Sequence, residues 1–117
     1  MIKIYTGNAE VDGKLTREWI VGRFMPDNDI HQSADVEIKW GKHKKGEART
    51  EWVTGEHRTT IAILISGSFS LFFRDVESHL VNMGDYVMWG KKVDHKWIAN
   101  EDSIVLTVRW PSISVEK

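Results

Sequence analysis

Apolar and polar positions alternate with a period of two along most of this chain. Val36-Glu-Ile-Lys-Trp40 shows the alternation plainly, the signature of a half-buried strand. Arg58 to Ile65 is rich in Thr and Ile, side chains that suit a pleated surface. Further strands are predicted over Phe69–Phe73, Ser78–Val81, Tyr86–Trp89, Val93–Ile98 and Ile104–Trp110. Between them stand the turn signals Ser66-Gly67-Ser68, read as a hairpin, Arg74–Glu77, Met83-Gly84-Asp85, Gly90–Lys92 and Asn100–Asp102. Such signals at roughly 8–12-residue spacing predict a sandwich or barrel. Leu15 to Phe24 is the one segment with a helical alternative, and its Gly22 and β-formers favour a strand. Met25 to Ala34 carries Pro26, Asp27, Asn28 and Asp29, a dense turn signal. The expected fold is all-β, with a jelly-roll barrel as its architecture.

Composition narrows the function classes. The chain has 117 residues, which fits one domain, since domains cluster near roughly 100–150 residues. It has no Cys, which excludes a disulfide scaffold, a thiolate nucleophile and Cys-ligated metals. A reducing, cytoplasmic setting is expected. Sixteen Lys and Arg against seventeen Asp and Glu give a formal net charge of −1. That balance argues against nucleic-acid binding, which favours a basic excess. The longest apolar run, Ile61 to Ile65, is far short of the roughly 20 residues a spanning helix needs. Met1 to Glu10 holds no long apolar stretch, so no secretory leader is expected. The Lys42–Lys45 cluster lacks the Gly-rich loop of a phosphate cradle and reads as a solvated turn. The six Trp are unusual. Each brings a large ring and an N–H that needs a partner. Trp40, Trp52, Trp89, Trp97 and Trp110 fall on predicted strands and Trp19 on an N-terminal arm, which suggests an aromatic lining.

From Gly46 to Trp110 the chain resembles the conserved barrel of the small single-domain cupins. Leu64-Ile-Ser-Gly67 is similar to the end of that family's first motif, and Gly84-Asp85-Tyr-Val-Met-Trp-Gly90 with His95 is similar to its second. The resemblance implies a cupin-like jelly-roll β-barrel over residues 35–117. It leaves residues 1–34 as an N-terminal strand arm that packs on the barrel or on a dimer partner. In the family, two His and a Glu of the first motif join the second-motif His to hold a metal. Counting back from Gly67, those first-motif positions fall on Thr54, Glu56 and Thr60. No His-x-His exists, and His57 is one residue out of phase, which in a strand means the opposite face. Only His95 stands in register.

The two-residue period then suggests a site. Thr54, Glu56, Arg58, Thr60, Ala62 and Leu64 share one parity. Facing inward, they give a polar mouth over an apolar floor, a plan suited to small molecules. His95 and Trp97 share a parity on a second strand, while His43, Arg49 and Glu51 flank the turn at Gly46. The candidate acid–base pair is His95 with Glu56, because a nearby carboxylate raises an imidazole pKa and fixes its tautomer. Arg58, Thr60, Trp97, Trp52, Arg49 and His43 are candidate ligand contacts, with Arg58 or Arg49 suited to fork a carboxylate or phosphate. His31 and His79 lie in or near turns and are expected at the surface.

Three functions fit. The leading one is a metal-independent isomerase, epimerase, dehydratase or cyclase with no cofactor, using His95. The second is a metal-dependent cupin enzyme, a dioxygenase or similar, with Zn, Mn or Fe on His95, Glu56, His43 and Glu51. The third is a binding module without catalysis. No Ser/His/Asp nucleophile arrangement is readable from spacing. The expected partners are a small-molecule ligand and a second copy in a homodimer, with no nucleic acid and no membrane.

Overall fold

A computed structural model describes residues 3–113. Residues 1–2 of the expected arm and 114–117 of the expected barrel lie outside the described residues. The described residues form an all-β fold, with nine strands in two antiparallel sheets. The strands are β1 (Trp19–Val21), β2 (Glu37–His43), β3 (Ala48–Val53), β4 (Thr59–Ser66), β5 (Phe69–Phe73), β6 (Glu77–Leu80), β7 (Tyr86–Trp89), β8 (His95–Ala99) and β9 (Ser103–Trp110). One sheet has the order β1-β2-β9-β4-β7 and the other β3-β8-β5-β6. They pack face to face as a jelly roll, a β-sandwich whose inner faces form the core.

Period-two patterning places that core. Ala62, Leu64, Trp89 and Val105 come from the inner face of the five-stranded sheet, and Phe69, Leu71, Leu80 and Ala99 from the other. Along β4 the buried positions alternate strictly. Its other face carries Ile61, Ile63 and Ile65, which are half-buried.

Two expectations change. The turn at Gly67 is not a hairpin, because β4 pairs with β7 and β9 while β5 pairs with β6 and β8. It is a corner that carries the chain from one sheet to the other. Gly67 has φ +98, and a Cβ there would lie 2.3 Å from the Asp102 carbonyl oxygen. The close approach is built in, since Ser103 Oγ accepts from the Ser68 N–H at 3.0 Å and donates onward. The turn from β6 to β7 also changes sheet. There the Asp85 carboxylate accepts the Val81 and Asn82 N–H groups at 3.0 and 2.9 Å. Those two bonds hold its pKa below the usual carboxylate value.

The strand expected over Leu15–Phe24 shrinks to β1. Arg17 and Glu18 have φ of 54° and 75°, so the extended conformation starts only at Trp19. Before them lie a short helix α1 (Ala9–Asp12) and a 3₁₀ turn (Gly13–Leu15). Asn8 starts α1 by accepting from the Glu10 and Val11 N–H groups, a common N-cap arrangement. β1 then adds to the sheet edge with Trp19 opposite Lys39. Among the described residues no helix is long and apolar enough to cross a membrane.

Candidate functional site

Strand register decides what faces the space between the sheets. Glu37, Arg109, Thr60 and Trp89 lie opposite one another across β2, β9, β4 and β7. Trp19, Lys39, Thr107 and Ala62 form the neighbouring row. Arg49, Trp97 and Leu71 are paired across the opposing sheet. Between the sheets lies a cavity of about 330 Å³, at the small end of ligand-pocket sizes. Its floor is apolar, with Ala62, Leu71, Phe69 and Val105. One wall is an aromatic cluster: the His43 ring lies 4.6 Å from Trp97 and 5.2 Å from Phe69, which stacks on Trp97. Across from it, Trp89 packs 4.7 Å from His95 and 5.4 Å from Phe73.

His95 is held in one orientation. Its Nδ1 lies 3.1 Å from the Val93 carbonyl oxygen. A carbonyl oxygen only accepts, so Nδ1 carries the proton and Nε2 keeps a lone pair. Burial pushes the His95 pKa below 6.5, against the smaller upward pull of the Val93 carbonyl and the Glu56 charge. Burial likewise lowers that of His43. The Nδ1 of His43 is buried without a hydrogen-bond partner, although Glu47 Oε1 stands 3.5 Å away. Trp89 Nε1 is also buried and unpartnered. Both orphaned atoms belong to side chains that line the cavity.

A chain of four charges closes one end. Glu56 Oε1 accepts from Arg58 Nη2 at 2.8 Å, and its Oε2 accepts from Nε and from the Arg58 backbone N–H. Burial alone would raise the Glu56 pKa, but the Arg58 hydrogen bonds and charge hold it below the usual carboxylate range. Arg58 Nη1 and Arg109 Nε both donate to Glu37 Oε1, at 2.8 and 2.6 Å. Glu37 is 0% exposed, and its Oε2 accepts from the Ser112 hydroxyl at 2.9 Å. A buried carboxylate is tolerated only when it is paired and hydrogen-bonded in this way.

Among the expected site residues, His95, Glu56, Thr60, Trp97, Arg49 and His43 line the cavity, and Arg58, Trp52 and Glu51 do not. Arg58 is turned toward Glu37 and Glu56. Trp52 has the opposite parity to cavity-lining Val53 and lies outside, 4.1 Å from the Arg74 guanidinium and 4.6 Å from Lys96 Nζ. Glu51 is exposed, because the β3–β8 register shifts between Arg49 and Val53. His57 and His79 are exposed. His31 is instead half-buried, bonded to Asp29 and packed against Tyr5.

The fold family's metal does not fit this donor set. Among the described residues no three His, Asp or Glu side chains converge. Thr60 replaces one family ligand, Thr54 is exposed, and both Glu56 oxygens are taken by Arg58.

Trp19, Lys39, Thr107 and Arg109 also line the cavity. Lys39 shares the parity of His43 and Arg109 that of Thr107, but nothing in the pattern marked that parity as inward. One Ser/His/Glu contact does exist: Ser70 Oγ lies 2.7 Å from His79 Nδ1, and Glu77 Oε1 lies 3.3 Å from Nε2. Ser70 is 2% exposed and already bonded by Asn100 at 2.8 Å. It braces two strands and is not an accessible nucleophile.

No family model matches the chain, and no curated protein is significantly similar to it in sequence. Solved structures are similar in fold. KdgF from Halomonas sp. superposes with a TM-score of 0.63 at 22% identity, over 69% of this chain and 74% of that one. A cupin superfamily protein from Desulfitobacterium hafniense gives 0.60 at 19% identity, over 72% and 79%. A cupin-2 domain protein from Shewanella frigidimarina gives 0.55 at 20% identity, over 84% and 89%. Together with the strand order and the motif positions at Gly67, Gly84, Asp85 and His95, these likenesses show that the chain has the fold of a small single-domain cupin.

Proposed function

We propose that this protein binds a small organic molecule between its sheets and moves a proton on it without a metal, with His95 as the base. The carrying observation is the contact of His95 Nδ1 with the Val93 carbonyl at 3.1 Å. It leaves Nε2 as a lone-pair donor on a cavity-lining ring, and burial keeps that ring neutral near pH 7. Such a base takes a proton from carbon beside a carbonyl and returns it to the same or a neighbouring carbon. The outcome is epimerisation or isomerisation. Where a hydroxyl on the next carbon leaves, departing as water with the proton that the imidazolium returns, a double bond forms and the outcome is a dehydration. An internal hydroxyl that adds to the carbon–carbon double bond so formed, its proton passing through His95 to the other carbon, closes a ring. Glu56 serves as an ionised neighbour whose charge favours the imidazolium formed when the proton arrives. Its own oxygens are committed to Arg58.

Incubation in heavy water with a panel of small aldoses, ketoses and 2-oxo acids tests this reading. Wild-type protein should exchange a carbon-bound proton for deuterium, and His95→Gln should abolish the exchange. Exchange that persists in His95→Gln, or that is lost with chelator, would overturn it.

The aromatic wall of His43, Phe69 and Trp97 favours a second reading, a binding module without turnover. In that case Trp97→Ala weakens ligand binding while no ligand is ever converted.

We further propose a cytoplasmic homodimer. The rows Trp40–Leu106–Ile63–Tyr86 and Ile38–Val108–Ile61–Met88 make the outer face of the five-stranded sheet apolar. Tyr86 and Met88 are 62% and 50% exposed. Light scattering on wild type and Met88→Lys reads the assembly directly, and a monomeric wild type would overturn it.

A further inference from the structure

The cavity holds more positive charge than its own carboxylates neutralise. Within the closing cluster, Arg109, Glu37, Arg58 and Glu56 balance one another. Lys39 stands outside that balance, as a half-buried cavity-lining side chain with no salt bridge among the described residues. Arg109 uses only its Nε on Glu37, and both of its terminal nitrogens are without a protein partner among the described residues. The two cations meet over one ring: the Arg109 guanidinium lies 4.3 Å from the Trp19 centroid, and Lys39 Nζ lies 5.6 Å from it.

A cation that gives up water without gaining an anion is costly. We infer that Lys39 and Arg109, set over Trp19, form a subsite for a single carboxylate group of the small molecule bound in the cavity. The inference rests on the ligand-binding reading above and adds the chemical class of that ligand. The geometry suits a carboxylate, because the free edge of a guanidinium presents paired N–H donors. The charge count suits a monoanion. Lys39 makes no salt bridge among the described residues, with Glu18 and Glu47 acting on it only through space, while Glu37 already answers for Arg109. Burial pushes the Lys39 pKa down and the nearby Arg109 charge lowers it further, against the upward pull of the Glu18 and Glu47 charges. A bound anion reverses both penalties. Arg49 lines the cavity but is exposed, so its charge is shared with solvent.

Benzoate, benzamide and phenyl phosphate are suitable probes, being aromatic acids and a neutral isostere that match the aromatic wall. The full-length ¹⁵N-labelled chain is titrated with each, following the Trp19 indole N–H signal. Benzoate should bind at least about tenfold more tightly than benzamide, the gain expected of charge-assisted bonds. Lys39→Met should shrink that preference severalfold, to the share the Arg109 fork alone supplies. This variant folds without loss of a hydrogen bond, because Lys39 Nζ makes none among the described residues. Arg109→Gln would strand Glu37, so Arg109→Lys is the second variant, and it should weaken benzoate by the loss of the fork. Equal binding of benzoate and benzamide, no saturable shift with benzoate, or a preference undiminished in Lys39→Met would each overturn the subsite. Tighter binding of phenyl phosphate than of benzoate would overturn its assignment to carboxylates. Failure of the deuterium exchange with the benzoate preference intact counts against the catalytic reading alone.

Discussion

Glu56 and Arg58, separated by one residue, clasp each other through two side-chain contacts, Nε to Oε2 and Nη2 to Oε1. Counted back from Gly67, Glu56, in the turn before β4, falls where the resemblance to small cupins places a metal-binding His. A guanidinium therefore occupies the lone pairs that a metal would need. Zn, Mn or Fe(II) added in excess should leave the melting temperature where chelator leaves it, since a ligand that binds only the folded state raises it. Stoichiometric metal in protein purified without a His-tag, lost in His95→Ala, would contradict this expectation.

Acid should weaken the fold before its carboxylates titrate. Burial lowers the pKa of both His95 and His43 below 6.5. The unfolded chain then binds protons at these sites more readily than the folded one does. Stability thus rises with pH through the interval below 6.5 and levels off above it. The urea midpoint should fall between pH 7.5 and pH 5.5. The fall should shrink in a His43→Gln/His95→Gln double variant. If His95 is the base, activity should hold at neutral pH and decline on the same acid side.

Removal of the buried carboxylate should be severe. Glu37→Ala leaves Arg58 and Arg109 without their shared acceptor and frees the Ser112 hydroxyl. Loss of one partner of a buried ion pair costs about 3–5 kcal/mol. Chemical denaturation should show a loss of that order, whereas Glu101→Ala, whose bridge to Lys45 is 4.0 Å and exposed, should change little.

Two glycines separate strain from collision. Gly46 and Gly67 both have positive φ, at 89° and 98°. An added Cβ meets nothing within 4 Å at Gly46 but lies 2.3 Å from a backbone oxygen at Gly67. Gly46→Ala should cost about 1 kcal/mol, from left-handed strain alone. Gly67→Ala should cost about 3 kcal/mol, since the corner must also move. Equal losses would mean that the corner adapts freely.

Strand positions were legible because alternation is local. The predicted Phe69–Phe73 and Tyr86–Trp89 match β5 and β7 to the residue. Sheet membership was not legible, because a Gly turn reads alike whether the next strand pairs back or crosses to the other sheet. Glu51 went astray for a related reason: the register shift in β3 breaks the parity it shares with Arg49 and Val53, whereas Trp52 has the opposite parity and faces out. Lys39, Arg109 and Glu37 were missed because charged residues on strands ordinarily face water. For Glu37 and Arg109 that burial depends on partners from β2, the turn before β4, and β9, far apart in sequence. His95 was legible from its motif position, but its tautomer depends on where the Val93 carbonyl points.

Most of the cavity wall consists of alternate residues on strands, with few contributions from loops. Lengthening a loop therefore leaves most of the pocket untouched, and new ligand preferences must come from single replacements at inward positions. A one-residue insertion inside β4 would do the opposite. It would bring Ile61 and Ile63 into the pocket and turn Thr60 and Ala62 out to the sheet's other face. This fold can thus be retuned by substitution, and strand insertions are the changes its cavity cannot survive.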